Sequence, residues 1–138
     1  MSLISNAHIV LFMLGTNDAK ACNWSQDRFI EDYTRMVQTY LDSKSKPDVF
    51  VMIPPPLYID GIFDEINQKV INELLPQLIP SIVQKIGNDK VHIINLNEGM
   101  GGSNMDQQDL FSDGCHPNDQ GYERIAGIIY QQITSPLK

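Results

Sequence analysis

The 138-residue sequence predicts a single α/β domain with about three parallel strands and flanking helices. Short apolar runs, His8 to Leu14, Asp48 to Ile53 and Val91 to Asn95, alternate with longer stretches at helical spacing. The first two runs are closed by Gly15 and by Pro54-Pro55-Pro56, residues that turn a chain or end a sheet ladder. The order strand, helix, strand, helix, strand, helix is that of a parallel sheet joined by right-handed crossovers. A hydrophobic content of 42% can fill the core of one such domain.

The run from His8 to Leu14 is continuously apolar apart from its first residue, which predicts a buried parallel strand ending where Gly15 lets the chain turn sharply. Ala19 to Trp24 reads as a loop. Ser25 is placed as an N-cap, and Asp27 in the first turn favours the helix dipole. The helix runs to about Ser43, because Phe29, Ile30, Tyr33, Val37, Tyr40 and Leu41 recur on one face. Lys44 to Pro47 return the chain to the strand Asp48 to Ile53. Tyr58 to Phe63 form a loop at the same sheet edge as Gly15, and a second helix is expected from about Asp64. Ile66, Val70, Leu74, Leu78, Ile82 and Ile86 keep its period, while Pro76 and Pro80 must kink or divide it. Gly87 caps its end. After the strand Val91 to Asn95 comes a long Gly/Asn/Asp-rich loop over residues 96 to 112. The last helix follows Asn118 and is marked by Tyr122, Ile125, Ala126, Ile129 and Ile133. No repeat, low-complexity tract or second domain is visible.

Ten basic against seventeen acidic residues give a formal charge of −7, which argues against nucleic acid or an anionic membrane as partner. No apolar run reaches the roughly 18 residues of a membrane span, and Met1-Ser2-Leu3 does not open a signal peptide; the compartment stays open. Cys22 and Cys115 are too few for a disulfide scaffold and read as free thiols in loops. His8 and His92 lie on or beside strands as core or edge residues.

The chemistry concentrates in Asp113-Gly114-Cys115-His116-Pro117-Asn118. An Asp three residues before a His, on a turn ahead of a helix, can accept the Nδ1 proton and leave Nε2 free as a general base. The plainer reading is a polar surface turn with a helix cap. Far upstream, Gly15-Thr16-Asn17-Asp18 follows the first strand, where Asn17 either bonds its own turn or offers its amide to a ligand. In open α/β sheets, ligands bind outside the carboxyl ends of the strands, and Asn17, Pro54 and the loop carrying Asp113 and His116 all fall at that end. Cys22 and Cys115 raise the ideas of a Cys nucleophile beside His116 or a metal site with Asp113 and His116, and neither has a recognisable spacing.

These two stretches, in this order and spacing, closely resemble the third and fifth sequence blocks of the GDSL-like, or SGNH, esterases. Ala19, Lys20, Asn23 and Trp24 resemble the loop of the branch that includes carbohydrate O-acetylesterases. The resemblance implies a three-layer α/β/α flavodoxin-like fold, with His116 as catalytic base, Asp113 as its orienting acid and Asn17 as oxyanion-hole donor. It implies neither metal nor cofactor. Gly15 then serves the turn, Asp18 ties down the loop that presents Asn17, and Trp24 and Tyr58 either line the acyl or sugar pocket or pack at the edge of the core.

Gly-Asp-Ser, the family's nucleophile turn, occurs nowhere in the sequence. That block and the oxyanion-glycine block precede, in the family, the segment with which this chain begins. Ser5 stands at the wrong end of the first strand, more than roughly 20 Å from Asn17 at about 3.3 Å per residue. Ser103 and Ser112 are not on a strand-to-helix turn, and Ser25 is used as a cap.

Two expectations follow. The chain is the C-terminal part of an N-terminally truncated serine esterase for small, acetyl-like ester or acylated-sugar substrates, and has little turnover by itself. Alternatively it is complete and is a non-catalytic relic that binds a ligand or a partner. In either case an apolar edge strand 8–14 without neighbours predicts a homodimer with antiparallel edges.

Overall fold

In the computed structural model, which describes residues 6–135, three parallel strands form a sheet in the order β1-β2-β3. They are β1 (Ile9–Phe12), β2 (Asp48–Ile53) and β3 (Val91–Asn95), with Leu11 opposite Phe50 and Phe50 opposite His92. Ser5 and Met1-Ser2-Leu3 lie outside the described residues.

Side chains alternate across a strand, so each strand feeds two cores. Val10, Phe12, Val49, Val51 and Ile53 meet the buried faces of α1 (Gln26–Leu41) and α2 (Leu75–Ile86). Phe50, Met52 and Ile94 pack instead with Ile125, Ile128 and Ile129 of α3 (Asp119–Thr134). The result is three layers, helices on both faces of a parallel sheet, as expected. In α1 the buried residues Phe29, Tyr33, Val37 and Leu41 recur every four positions. Ser25 occupies its N-cap in extended conformation, yet its hydroxyl makes no capping bond.

The second helix departs from expectation. Ile62–Glu65 is a turn in which Phe63, Asp64 and Glu65 take left-handed φ of 49°, 61° and 59°. Helical structure resumes as a widened π turn, Val70–Leu74, where the Leu75 N–H donates to the Val70 carbonyl. Pro76 thus falls in the first turn of α2, where its lost N–H costs least, and Pro80 remains inside. Gly87 closes α2 at φ 60°, donating to the Val83 carbonyl at 3.1 Å.

The apolar run 8–14 also reads differently in three dimensions. Only Ile9–Phe12 is strand, and it stands at the sheet edge, so Ile9 and Leu11 are 49% and 46% exposed. The core that includes α3 contains Phe50, Met52 and Ile94 of β2 and β3 and nothing of β1. An apolar run has the same composition whether one face or two are covered, which is why the sequence suggested a fully buried strand.

Tyr33 is 3% exposed between Phe12 and Phe29, with ring centroids at 4.9 and 5.2 Å, and its hydroxyl has no hydrogen-bond partner among the described residues. Burial pushes its pKa far up. An unsatisfied buried hydroxyl costs about 1–3 kcal/mol. Tyr33→Phe keeps the ring and removes that cost, so the urea midpoint should rise with an unchanged m-value; a lower midpoint would mean that the hydroxyl is bonded in solution.

Candidate active site

A hairpin between β3 and α3 carries Asp113 and His116. Phe111 and Pro117 form an antiparallel bridge, the Ser112 N–H donates to the His116 carbonyl at 2.9 Å, and the Asn118 N–H donates to the Leu110 carbonyl at 2.9 Å. Asn118 then caps α3, accepting from the Gly121 N–H at 3.0 Å, while its Nδ2 donates to the Asp109 carbonyl at 2.7 Å. At the tip, Gly114 takes φ 83°; a Cβ there would lie 2.6 Å from Ile59. Its carbonyl accepts from the Tyr58 N–H at 2.8 Å, which ties the hairpin to the segment after β2.

Within this frame Asp113 is fully engaged. Its Oδ1 accepts the backbone N–H groups of Cys115 at 2.9 Å and His116 at 2.7 Å, and its Oδ2 lies 2.7 Å from His116 Nδ1. The His116 backbone N–H, then its side chain, hold the Asp113 carboxyl down at about 2, from an ordinary 3.8. A carboxylate charged at neutral pH accepts a proton at Nδ1, so the imidazole presents Nε2 outward. The ring is solvent-exposed and meets Phe63 in a T-shaped pair, centroids 5.0 Å apart.

Asn17 comes from the carboxyl end of β1. Gly15 has φ 129°, and a Cβ there would sit 2.7 Å from Leu75 Cδ1, so both conformation and space require glycine. The turn closes with the Ala19 N–H donating to the Gly15 carbonyl at 3.1 Å. Asn23 Nδ2 donates to the Asn17 carbonyl at 3.4 Å, leaving the Asn17 side chain exposed. The loop is tied down by backbone bonds to residues 65–67, Ala21 N–H to Glu65 at 3.1 Å and Asn67 N–H to Ala19 at 3.0 Å. Asp18 makes no side-chain hydrogen bond among the described residues, so the tying role expected of it falls to the backbone.

Asn17 and His116 line one cavity of about 610 Å³, with Leu14, Pro56, Ile66 and Tyr122 among its apolar walls and Lys20 and Asp64 on its rim. No serine among the described residues lines it. The Ser112 hydroxyl donates to the His116 carbonyl at 3.0 Å, and Ser103 lines a separate groove. Trp24 and Tyr58 are not in the wall. Trp24 packs on Phe29 at 5.7 Å. Tyr58 stacks on Phe111 at 4.8 Å; its hydroxyl donates to the Met100 carbonyl at 3.0 Å and accepts from the Gln107 N–H at 3.1 Å. Cys115 does line the cavity, but burial and then the Asp113 charge push its thiol up, away from thiolate. Cys22 is exposed. Among the described residues no three His, Cys, Asp or Glu side chains converge as a metal site, and no helix is long and apolar enough to cross a membrane. His92, half-buried, pairs with Asp48 at 3.0 Å at the opposite end of the strands, and His8 is exposed.

Phe63 and Asp64 are among the cavity residues to which sequence reasoning gave no role in the site, although the loop ending at Phe63 was placed at this sheet edge. Neither belongs to a local pattern. Asp64 meets Lys20 across 44 positions, at 3.1 Å.

The family model described as GDSL-like Lipase/Acylhydrolase matches residues 3–124. An acetylxylan esterase of Xylanibacter ruminicola is 26% identical over 91% of the chain, which spans 28% of that protein. The solved carbohydrate esterase family 3 enzyme of Talaromyces cellulolyticus superposes with a TM-score of 0.70 at 27% identity, covering 94% of this chain and 58% of that one. A peptidoglycan O-acetylesterase superposes with a TM-score of 0.76 over 95% of this chain and 38% of its own; at 18% identity it speaks for the fold alone. The chain therefore spans well under two thirds of the length of each of these proteins.

Two outcomes follow from the geometry. Asp113 should titrate near 2 by carboxylate ¹³C shift, and in His116→Ala the midpoint should rise yet stay below 3.8, because the largest cause, the backbone N–H of residue 116, survives. Since the native pKa is the depressed one, the stability it contributes is complete above the unfolded value and is lost as pH falls from 3.8 towards 2. Gly15→Ala should destabilise by about 2–4 kcal/mol from combined strain and overpacking, measured by denaturant unfolding; an unchanged midpoint would mean that the turn at Gly15 relaxes freely.

Proposed function

The chain belongs to the GDSL-like lipase/acylhydrolase family, and on that premise we propose that it carries the base, the orienting acid and one oxyanion donor of a serine esterase acting on small acyl esters of carbohydrates. One observation carries the reading: His116, held by Asp113, and Asn17 line the same cavity at the carboxyl ends of the strands. The acetyl and sugar parts of the substrate rest on the names of the relatives.

In this mechanism a serine hydroxyl attacks the ester carbonyl while His116 Nε2 takes its proton. Asp113 stabilises the imidazolium through Nδ1, and the Asn17 amide donates to the developing oxyanion. Collapse of the tetrahedral intermediate expels the alcohol, which receives the proton from Nε2. Water, activated by the same nitrogen, then releases the acid and restores the serine. This mechanism requires a serine that none of the described residues brings to the cavity wall. A second reading, a non-catalytic ligand-binding module, is favoured by the want of a serine in the described cavity wall.

For the 138-residue chain by itself we propose self-association through β1. Its outer edge has no strand partner among the described residues, and Ile9 and Leu11 stand exposed along it. Antiparallel pairing about a two-fold axis continues the sheet and sets the two exposed rows side by side. Light scattering after size exclusion should give a dimer mass at micromolar concentration; a stable monomer refutes this part.

The esterase reading is tested by turnover. The chain alone should hydrolyse p-nitrophenyl acetate negligibly and take up no fluorophosphonate. Extended at its N-terminus by a strand ending in Gly-Asp-Ser, it should gain turnover that Asn17→Ala lowers by about 10²–10³-fold and His116→Ala abolishes. Stoichiometric labelling of the unextended chain, abolished by His116→Ala, would show that the nucleophile is already present. An extended, folded chain that binds acetate and never turns over would favour the binding module.

A further inference from the structure

We propose that Phe63, set beside His116 by a turn whose backbone is tied to Ile66, is the residue that recognises the alcohol part of the ester, a pyranose ring offering its C–H face; this deepens the esterase reading and rests on it. The direction of proton flow places the alcohol. His116 Nε2 gives its proton to the departing oxygen, so the alcohol leaves beside the imidazole, while the acyl oxygen is on the side of Asn17. Phe63 stands against that imidazole, with centroids 5.0 Å apart and planes at 67°, and is 44% exposed on the cavity wall. A T-shaped contact leaves at least one face of the phenyl ring uncovered by the imidazole. Sugar C–H bonds, polarised by neighbouring oxygens, suit the negative face of a phenyl ring. The sugar hydroxyls then meet a polar rim of Asp18, Lys20 and Asp64.

The backbone under Phe63 is held in place at a cost. Three successive non-glycine residues with left-handed φ each cost about 1–2 kcal/mol, and an exposed phenyl adds apolar surface to water. Such a turn persists only where its surroundings over-determine it. Here the Gly61 N–H donates to the Ile66 carbonyl at 3.0 Å, Ile66 donates back to Ile62 at 3.0 Å, and Lys20 bridges Ile66. The ion pair adds little to this: Lys20 Nζ lies 3.1 Å from Asp64 Oδ2, but the Asp64 side chain is 84% exposed against 23% for Lys20, so the backbone bonds hold the turn. The same Lys20 sits in the loop that presents Asn17, so one cation links the acyl side of the cavity to its alcohol side.

The test uses the 138-residue chain and two probes. Methyl β-D-xylopyranoside, followed by saturation-transfer NMR with irradiation of the aromatic protons, reports the alcohol side; acetate, followed by the Asn17 side-chain amide, reports the acyl side. Xyloside should bind, losing about three- to tenfold in affinity in Phe63→Leu and keeping it in Phe63→Tyr, with Asp64→Asn close to the unaltered chain and the thermal midpoints of all variants alike. Equal binding in Phe63→Leu overturns the proposal. So does a chain that takes acetate at Asn17 and no xyloside, and that outcome leaves the esterase reading standing. A chain that binds neither probe overturns both.

Discussion

Asp113 makes three hydrogen bonds with two oxygens, and the site hangs on them. Two go to backbone N–H groups one and two positions past Gly114, and the third orients an imidazole. Backbone donors fix the carboxylate whether or not His116 is charged, so the acid is in place before any reaction begins. That geometry in turn requires the left-handed Gly114, the Phe111–Pro117 bridge and the Asn118 cap that starts α3. The hairpin is thus continuous with the packing of α3 against Phe50, Met52 and Ile94, and the ring position is set by the core rather than by the loop alone.

The opposite wall of the cavity depends on a different constraint. Gly15 packs against Leu75 at the start of α2, and the loop after it is stitched to residues 65–67. Asn17, the Phe63 turn and α2 are consequently joined by direct contacts. The sheet connects the two walls, because β1 and β2 both end at this edge while β3 leads into the hairpin. The other end of the strands holds the Asp48–His92 pair, stacked on Phe50 and remote from the cavity.

Much of this was readable from sequence where the determining contacts are local. Asp113 and His116 are three residues apart, and Asn17 follows its strand directly, so their pairing with a sheet edge could be inferred without coordinates. The layered fold was equally accessible, because apolar period and Gly/Pro punctuation are local signals. What depends on distant partners was not. The exposure of Ile9 and Leu11 depends on where α3 lies, and Tyr58 spends its hydroxyl on Met100 and Gln107, 42 and 49 positions away. Helical periodicity ran on through Ile66, yet Phe63, Asp64 and Glu65 bend the other way under tertiary ties to Lys20 and Ala21.

The claim on which the functional reading stands is that Asp113 selects one form of the His116 ring. Long-range ¹H–¹⁵N correlation on the neutral imidazole tests it directly. Nitrogen shifts of a protonated Nδ1 and a bare Nε2, the pattern held by the 2.7 Å contact to Asp113 and lost in Asp113→Ala, are the expected result. A ring protonated at Nε2, or one averaging freely between tautomers in the unaltered chain, would contradict it.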